Sequence, residues 1–374
     1  MVISRRATPY SCRVHLGELA GRVGPILGFL VCITVVAELA DGLGVFATVA
    51  RAASRLARGS VLGLWLLIVL VAVVATAVLS LDTTAVLLTP VVLALARQLD
   101  LDRALFAYTA VWLANTASLF LPVSNLTNLL AAGVLSDDHE VRFAGLMWPS
   151  AAVSVLVTVT VLALIFRRSL RGRYRRPPAE PIPHRGLLIM AMTVCGALGP
   201  AFLLGVNVLL ASAVAAVILV VGCAIGQRQL LTWRLLPWQL VLGVGVLFVA
   251  VQFAHEHGLG SALSIAAGHG ETWPALLRMS GLGTLGANLI DNLPAYLALE
   301  PAAADSPLRL AALLVGVNAG PVITPWASLA TLLWAARCRS ADVTVSWPRF
   351  ALRGVLLAPL VVGAAVTALW LVHG

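Results

Sequence analysis

The chain has 374 residues, of which 60% are apolar and only 11% charged, and its mean hydropathy is +0.97. Soluble domains carry about a quarter charged residues, so a soluble fold is excluded. The net charge of +9 does not mark a nucleic-acid partner, because seven arginines crowd between Arg167 and Arg185 with apolar spans on either side. That is the pattern the positive-inside rule expects of a cytoplasmic loop.

Residues 1–23 are polar and basic, without the apolar stretch and small-residue cleavage site of a signal peptide. Apolar blocks follow at 25–50, 61–96, 104–133 and 145–166, and after the Arg-rich loop at 186–205, 208–226, 237–254, 273–299, 308–336 and 350–372. A bilayer crossing takes roughly 20 helical residues, and the short alternating strands of a barrel are missing. The expected fold class is therefore all-α and polytopic.

Block 61–96 is too long for one crossing. Its middle carries Ser80, Asp82, Thr83 and Thr84, and both ends carry arginine: Arg51, Arg55 and Arg58 before it, Arg97 and Arg103 after. Two cytoplasmic ends predict a re-entrant hairpin whose polar tip, LSLDTT, reaches mid-membrane. Block 273–299 repeats the pattern with the tip NLIDN.

An internal repeat supports this reading. Laid over one another without a gap, NTASLFLPVSNLTNLL (115–130) and NAGPVITPWASLATLL (318–333) share the first Asn, the Pro at the eighth position and three later Leu. Asn and Pro at mid-membrane predict broken helices, whose freed backbone groups face protein or water. AELADGLG (37–44) likewise resembles FAHEHGLG (253–260), and LDTTA resembles IDNLPA (290–295), with Asp82 laid on Asp291. Threading the arginines through this order gives the two halves opposite orientation, which predicts two inverted repeats with re-entrant hairpins and broken helices.

The expected organisation is a polar segment 1–23, a first repeat 24–166, an Arg-rich cytoplasmic loop 167–185 and a second repeat 186–374. The first repeat lacks counterparts of 186–205 and 208–226, and Arg5, Arg6, Arg13 and Arg22 fall on the outer side of this threading. A truncated member or a misplaced start codon accounts for both.

Carboxylates inside apolar spans are costly and are functional candidates by default. Asp82 and Asp291 are the sharper pair, with N-capping of the hairpin tip as the bland alternative. Glu38 and Asp41 stand one turn apart near the end of the first span, at the interface or in a coupling role. Around the tips lie Thr83, Thr84, Asn288 and Asn292. The breaks offer Asn115, Thr116, Ser118, Ser124, Asn125, Thr127 and Asn128 in one half, and Asn318, Thr324, Ser328 and Thr331 in the other. Hydroxyls and amides donate and accept, which suits a small, multiply hydroxylated neutral solute. Taken singly, such residues more often bond their own or a neighbouring helix than a substrate. The His255/His257 pair is only loosely metal-like, the five scattered cysteines have no ligand spacing, and no metal or cofactor is expected. Arg278 either pairs with a carboxylate or snorkels outward.

LDTTAVLLTPVVLALAR, LANTASLFLPVSNLTNLL, NLIDNLPAYLAL and VGVNAGPVITPWASLATLLW resemble the membrane subunit of arsenite/antimonite efflux pumps. That family belongs to the ion transporter superfamily, which also holds dicarboxylate and sodium/proton carriers. The resemblance runs from about residue 24 to the end, and it implies a bacterial inner-membrane protein that exports trivalent arsenic or antimony hydroxide in exchange for protons. The implied partners are a small inorganic solute, a coupling proton and membrane lipid, with room for a soluble ATPase partner and a homo-oligomer. Carried over by position, the implied site comprises Asp82 to Thr84, Asn115 to Ser118, Ser124 to Asn128, Asp291 and Asn292, Asn318, Thr324 and Ser328. An anion symporter of the dicarboxylate or citrate kind and a sodium/proton antiporter are the alternatives within the superfamily. Carboxylates at both tips repel a dicarboxylate unless they are protonated or sodium-bound, whereas arsenous acid is neutral at pH 7. A membrane-embedded lipid-processing enzyme is the alternative of another class, and it needs polar clusters at an interface rather than at mid-membrane.

Overall fold

The computed structural model describes residues 16–138, 141–175 and 184–374. The described residues are helical apart from turns, loops and one isolated bridge, Ser60 with Arg173. Among the described residues, seven helices are long and apolar enough to cross a membrane. Arg5, Arg6 and Arg13 lie outside the described residues, as do positions 176–183 of the Arg-rich loop.

The first half opens with α1 (Leu16–Gly42) and α2 (Val45–Leu56), separated by Gly44 at φ 82°. Only glycine enters that left-handed turn without a Cβ penalty. Next comes α3 (Val61–Leu79), uncharged throughout and capped by Ser60, whose hydroxyl accepts from Gly63 N at 3.2 Å. At Ser80 the chain turns sharply (φ 106°) into α4 (Leu81–Thr83), a π turn at Thr84–Leu88 and α5 (Thr89–Gln98). Capped by Asp102, α6 (Arg103–Thr116) ends in irregular backbone before α7 (Leu126–Asp138), and α8 (Phe143–Ile165) closes the half.

The second half begins with α9 (Arg185–Leu203) and α10 (Val208–Gly226), which have no counterpart among the described residues of the first. After them α11 (Trp238–Glu256), α12 (Leu259–Ala267), α13 (Trp273–Ile290), α14 (Asn292–Leu299), α15 (Pro307–Ala319), α16 (Leu329–Ser340) and α17 (Trp347–His373) repeat the first-half order.

Hydrogen bonds between turns show which helix ends share a face. Tyr174 donates from its N to Gly59 O (3.0 Å) and from its hydroxyl to Ser54 O (2.6 Å), Ser169 donates to Asp102 Oδ2 (2.6 Å), and Arg103 donates to Ala341 O (3.2 Å). The start of α3, the end of α5, the end of α8 and the end of α16 therefore lie together on an arginine-rich face. At the opposite face Trp273 Nε1 donates to Thr367 Oγ1 (3.0 Å), and two residues earlier on α17 Ala365 O accepts from Ser150 (3.0 Å). Arg309, 1% exposed, donates there to Gly268 O and Ala302 O, both at 2.7 Å. Both ends of the α3–α5 hairpin thus sit on the arginine-rich face, and both ends of the α13–α14 hairpin on the other. Two hairpins entering from opposite faces are what inverted repeats produce.

Packing differs between the halves. In the second, α13 and α15 meet backbone to backbone: a Cβ at Gly316 would lie 2.1 Å from Ser280 O, and one at Gly320 2.5 Å from Thr284 Oγ1. Small residues four apart are how membrane helices reach such contact. In the first half Leu113 and Ala117 take those places, and α3 meets α6 through side chains, with Trp65 Nε1 donating to Thr109 Oγ1 at 2.8 Å.

Candidate substrate site

The two broken helices follow the gapless repeat residue for residue. α7 begins at Leu126 and α16 at Leu329; the residues just before them, Asn125 (φ −152°, ψ 149°) and Ser328 (φ −150°, ψ 148°), have almost the same backbone. The extended segment frees main-chain groups inside the bundle, and side chains satisfy them. Asn128 Nδ2 donates to Ser118 O (2.6 Å) and Leu121 O (3.1 Å), while Ser124 reaches out of the break to Ala77 O on α3 (3.0 Å). In the other half one residue does most of this. Asn288 Nδ2 donates to Gly320 O (2.9 Å), its Oδ1 accepts from Ile323 N and Thr324 N, and its backbone carbonyl accepts from Thr324 Oγ1 (2.8 Å) and Trp326 Nε1 (2.9 Å).

Where the breaks cross, three amides and a hydroxyl interlock. Asn318 Oδ1 accepts from Asn125 Nδ2 (2.6 Å) and Thr127 Oγ1 (2.9 Å), and Asn318 Nδ2 donates to Asn128 Oδ1 (2.7 Å). All four side chains are buried. Asn115, the repeat partner of Asn318, makes no such bridge: its Nδ2 donates to Val111 O and its Oδ1 has no partner.

The hairpin tips correct the expected register. Laying Asp82 on Asp291 leaves the halves two residues out of step, because the strained turn falls at Ser80 in one half (φ 106°) and at Asp291 in the other (φ 136°). Each turn residue caps the helix that follows, Ser80 Oγ accepting from Thr83 N (3.4 Å) and Asp291 Oδ1 from Leu293 N (3.0 Å). A like shift occurs at the GLG pair, where the left-handed residues are Gly44 and Gly258. Sequence likeness followed composition, whereas the backbone follows whichever residue turns and caps. Asp291 is thus an N-cap as well as a candidate ligand, and Asp82 has no capping duty.

A cavity of about 800 Å³ opens beneath both tips. Its polar lining includes Asp82, Asp291, Asn125, Asn292, Ser80, Glu38 and Arg337, and its walls are apolar side chains of α1, α7 and α11. The carboxylates of Asp82 and Asp291 lie within coulombic reach of one another. Of the sixteen positions expected to form the site, the structure brings Asp82, Asn125, Asp291 and Asn292 to this cavity. Thr83, Thr84, Asn115, Thr116, Ser118, Ser124, Thr127, Asn128, Asn288, Asn318, Thr324 and Ser328 bond within the protein instead.

Two cavity residues, Ser80 and Arg337, have no place in the sequence-based site. An arginine near a membrane edge reads as a topology marker, and only the fold aims this one inward. Arg278 is exposed and donates to Ile265 O at 3.3 Å, in the last turn of α12, and among the described residues no carboxylate pairs with it within 4.0 Å. The His255 side chain lies outside the described residues, and among those described no group of three metal-binding side chains occurs.

Comparison with known proteins agrees with this architecture. The citrate transporter family profile matches residues 8–336. The chain belongs to that family. It is 29% identical over 370 residues to the arsenical pump membrane protein of Escherichia coli K12, covering 91% of this chain and 84% of that one. A putative arsenical pump membrane protein of Bacillus subtilis is 23% identical, with 95% and 89% covered. Among solved structures, the YdaH transporter of Alcanivorax borkumensis superposes with a TM-score of 0.65 at 16% identity, over 96% of this chain and 87% of that one. This family member is a multi-pass secondary transporter of the bacterial inner membrane.

Proposed function

We propose that the protein exports trivalent arsenic or antimony as the neutral hydroxide, in exchange for protons carried chiefly on Asp82. The observation that carries this reading is the pair of hairpin carboxylates facing one cavity beside the amides of Asn125 and Asn292. A multiply hydroxylated solute finds donors and acceptors there, and a proton arriving on a carboxylate removes the charge that favours one of two states. Of its lining residues, Glu38 toward the end of α1 and Arg337 in the last turn of α16 lie nearest the arginine-rich face, and we place the mouth there. The positive-inside rule makes that face cytoplasmic, and a mouth there opens to the side from which an exporter loads.

The family description favours a second reading, citrate symport. Among the described residues lining this cavity, Glu38, Asp82 and Asp291 set three carboxylates against the guanidinium of Arg337, and their charge opposes a citrate anion unless cations accompany it. Everted membrane vesicles separate the two. Under an inward-acid pH gradient the expected result is arsenite uptake that collapses with the gradient, while citrate stays at the level of vesicles lacking the protein. Citrate uptake without arsenite uptake sinks the first reading.

A further inference from the structure

The mouth of the cavity lies between two blocks of the protein, and each presents charge to it. α1 belongs to one block: Leu209 and Leu230 lie against its Gly28 and Gly42, and Phe29 meets Phe202 edge-on at 6.5 Å. α16 belongs to the other, where Trp334 packs on Tyr108 of α6 (6.1 Å) and Phe350 of α17 (5.6 Å). Glu38 lines the cavity from the last turns of α1, with Asp41 one turn beyond it, and Arg337 lines it from the last turn of α16. Arg337 is the cation within coulombic reach of Asp41. Among the described residues, no ion pair within 4.0 Å joins Arg337 to either acid.

We propose that Arg337 and the acidic pair Glu38 and Asp41 are the two halves of an ion-pair latch that closes the arginine-rich mouth when the blocks move together. The inference rests on the exchange of solute and proton between two states proposed above. In the open state Arg337 is exposed and the two acids are half-buried, and the latch adds no barrier to solute. Closing brings opposite charges together as water leaves, so Coulomb attraction gained in the drier gap offsets the lost hydration. Because gain and cost are of similar size, the closed state is held yet can reopen, as a transport cycle needs. The hairpin aspartates are left free for solute and proton.

Reversing one charge tests this directly. Arg337→Glu, which sets a third acid at the mouth, is expected to lower transport at least about tenfold, a loss of about 1.4 kcal/mol. The swap Glu38→Arg with Arg337→Glu is expected to recover more than half of the wild-type rate. Size-exclusion profiles of both variants report folding. A folded swap variant no more active than Arg337→Glu overturns the latch. A second readout needs no knowledge of the transported solute: Glu38→Cys with Arg337→Cys, in a protein whose five native cysteines are serine. In liposomes with copper phenanthroline, a cross-link reversed by reductant is expected. No cross-link in folded protein, at any imposed pH gradient, overturns the latch, whereas a cross-link in this variant together with no arsenite transport by the wild-type protein overturns only the proposed cargo.

Discussion

The two halves solve one problem with different chemistry. Each must hold an interrupted helix against a hairpin inside a bilayer, where unpaired backbone groups are expensive. In the first half the work is spread over the amide of Asn128, which bonds Ser118 O and Leu121 O, and several short hydroxyl side chains: Ser124 bonds Ala77 O, Thr76 bonds Thr84, and Ser80 bonds Thr83. In the second it is concentrated in Asn288, and α13 and α15 are pressed together at Gly316. Distributed fastening tolerates loss of one member and lets the parts shift; concentrated fastening makes the second hairpin and its break one rigid piece. Asp82, with no cap to make, sits on the looser side, and Asp291, which caps its helix, on the stiffer.

The largest test of this asymmetry is functional. Asp82→Asn is expected to reduce transport in everted vesicles to the level of vesicles without the protein, with folding unchanged. Asp291→Asn keeps an oxygen that caps Leu293 N and is expected to retain measurable activity. Equal loss in both would make the tips equivalent. Next in size, Asn288→Ala strands Gly320 O and the Ile323 and Thr324 N–H groups, for an expected loss of about 3 kcal/mol in stability. Denaturant or thermal unfolding in detergent reads it. Gly316→Ala pushes α15 off α13 and is expected to cost at least about 2 kcal/mol by overpacking, whereas Leu113→Ile at the corresponding first-half position costs less than about 1.5 kcal/mol. Smallest, Ser124→Ala removes one of several fastenings, for an expected loss of about 1 kcal/mol with little change in rate.

Much of this was legible before any coordinates. The gapless match of 115–130 with 318–333 placed both breaks correctly, because a broken membrane helix needs an amide or hydroxyl just before it restarts, and Asn125 and Ser328 supply one. The polar interruptions LSLDTT and NLIDN located the tips. Residue types could not reveal where lone pairs point. Asn318 and Asn128 are polar and central, yet they bond each other and neighbouring groups of the breaks, and four of the sixteen positions expected to form the site line the cavity. Nor could they reveal that the two tips turn at Ser80 and Asp291 rather than at the two aspartates, since capping depends on backbone angles and not on charge. Arg337 was hidden for a different reason: a charge at a helix end is ambiguous until the neighbouring helix is in place.

The interlock at Asn318 bears on how the protein breathes. Its amide is shared among Asn125, Thr127 and Asn128, so neither break can loosen without releasing the other, although about two hundred residues of chain separate them. In hydrogen exchange the amides around 118–128 and 318–328 should therefore appear as one cooperative unit that opens with a single free energy, slower than the helix ends on either side. Asn318→Ala should split that unit in two, each with its own rate. The crossing point would then act less as a binding surface than as an axle, keeping two halves of opposite orientation on a common timetable.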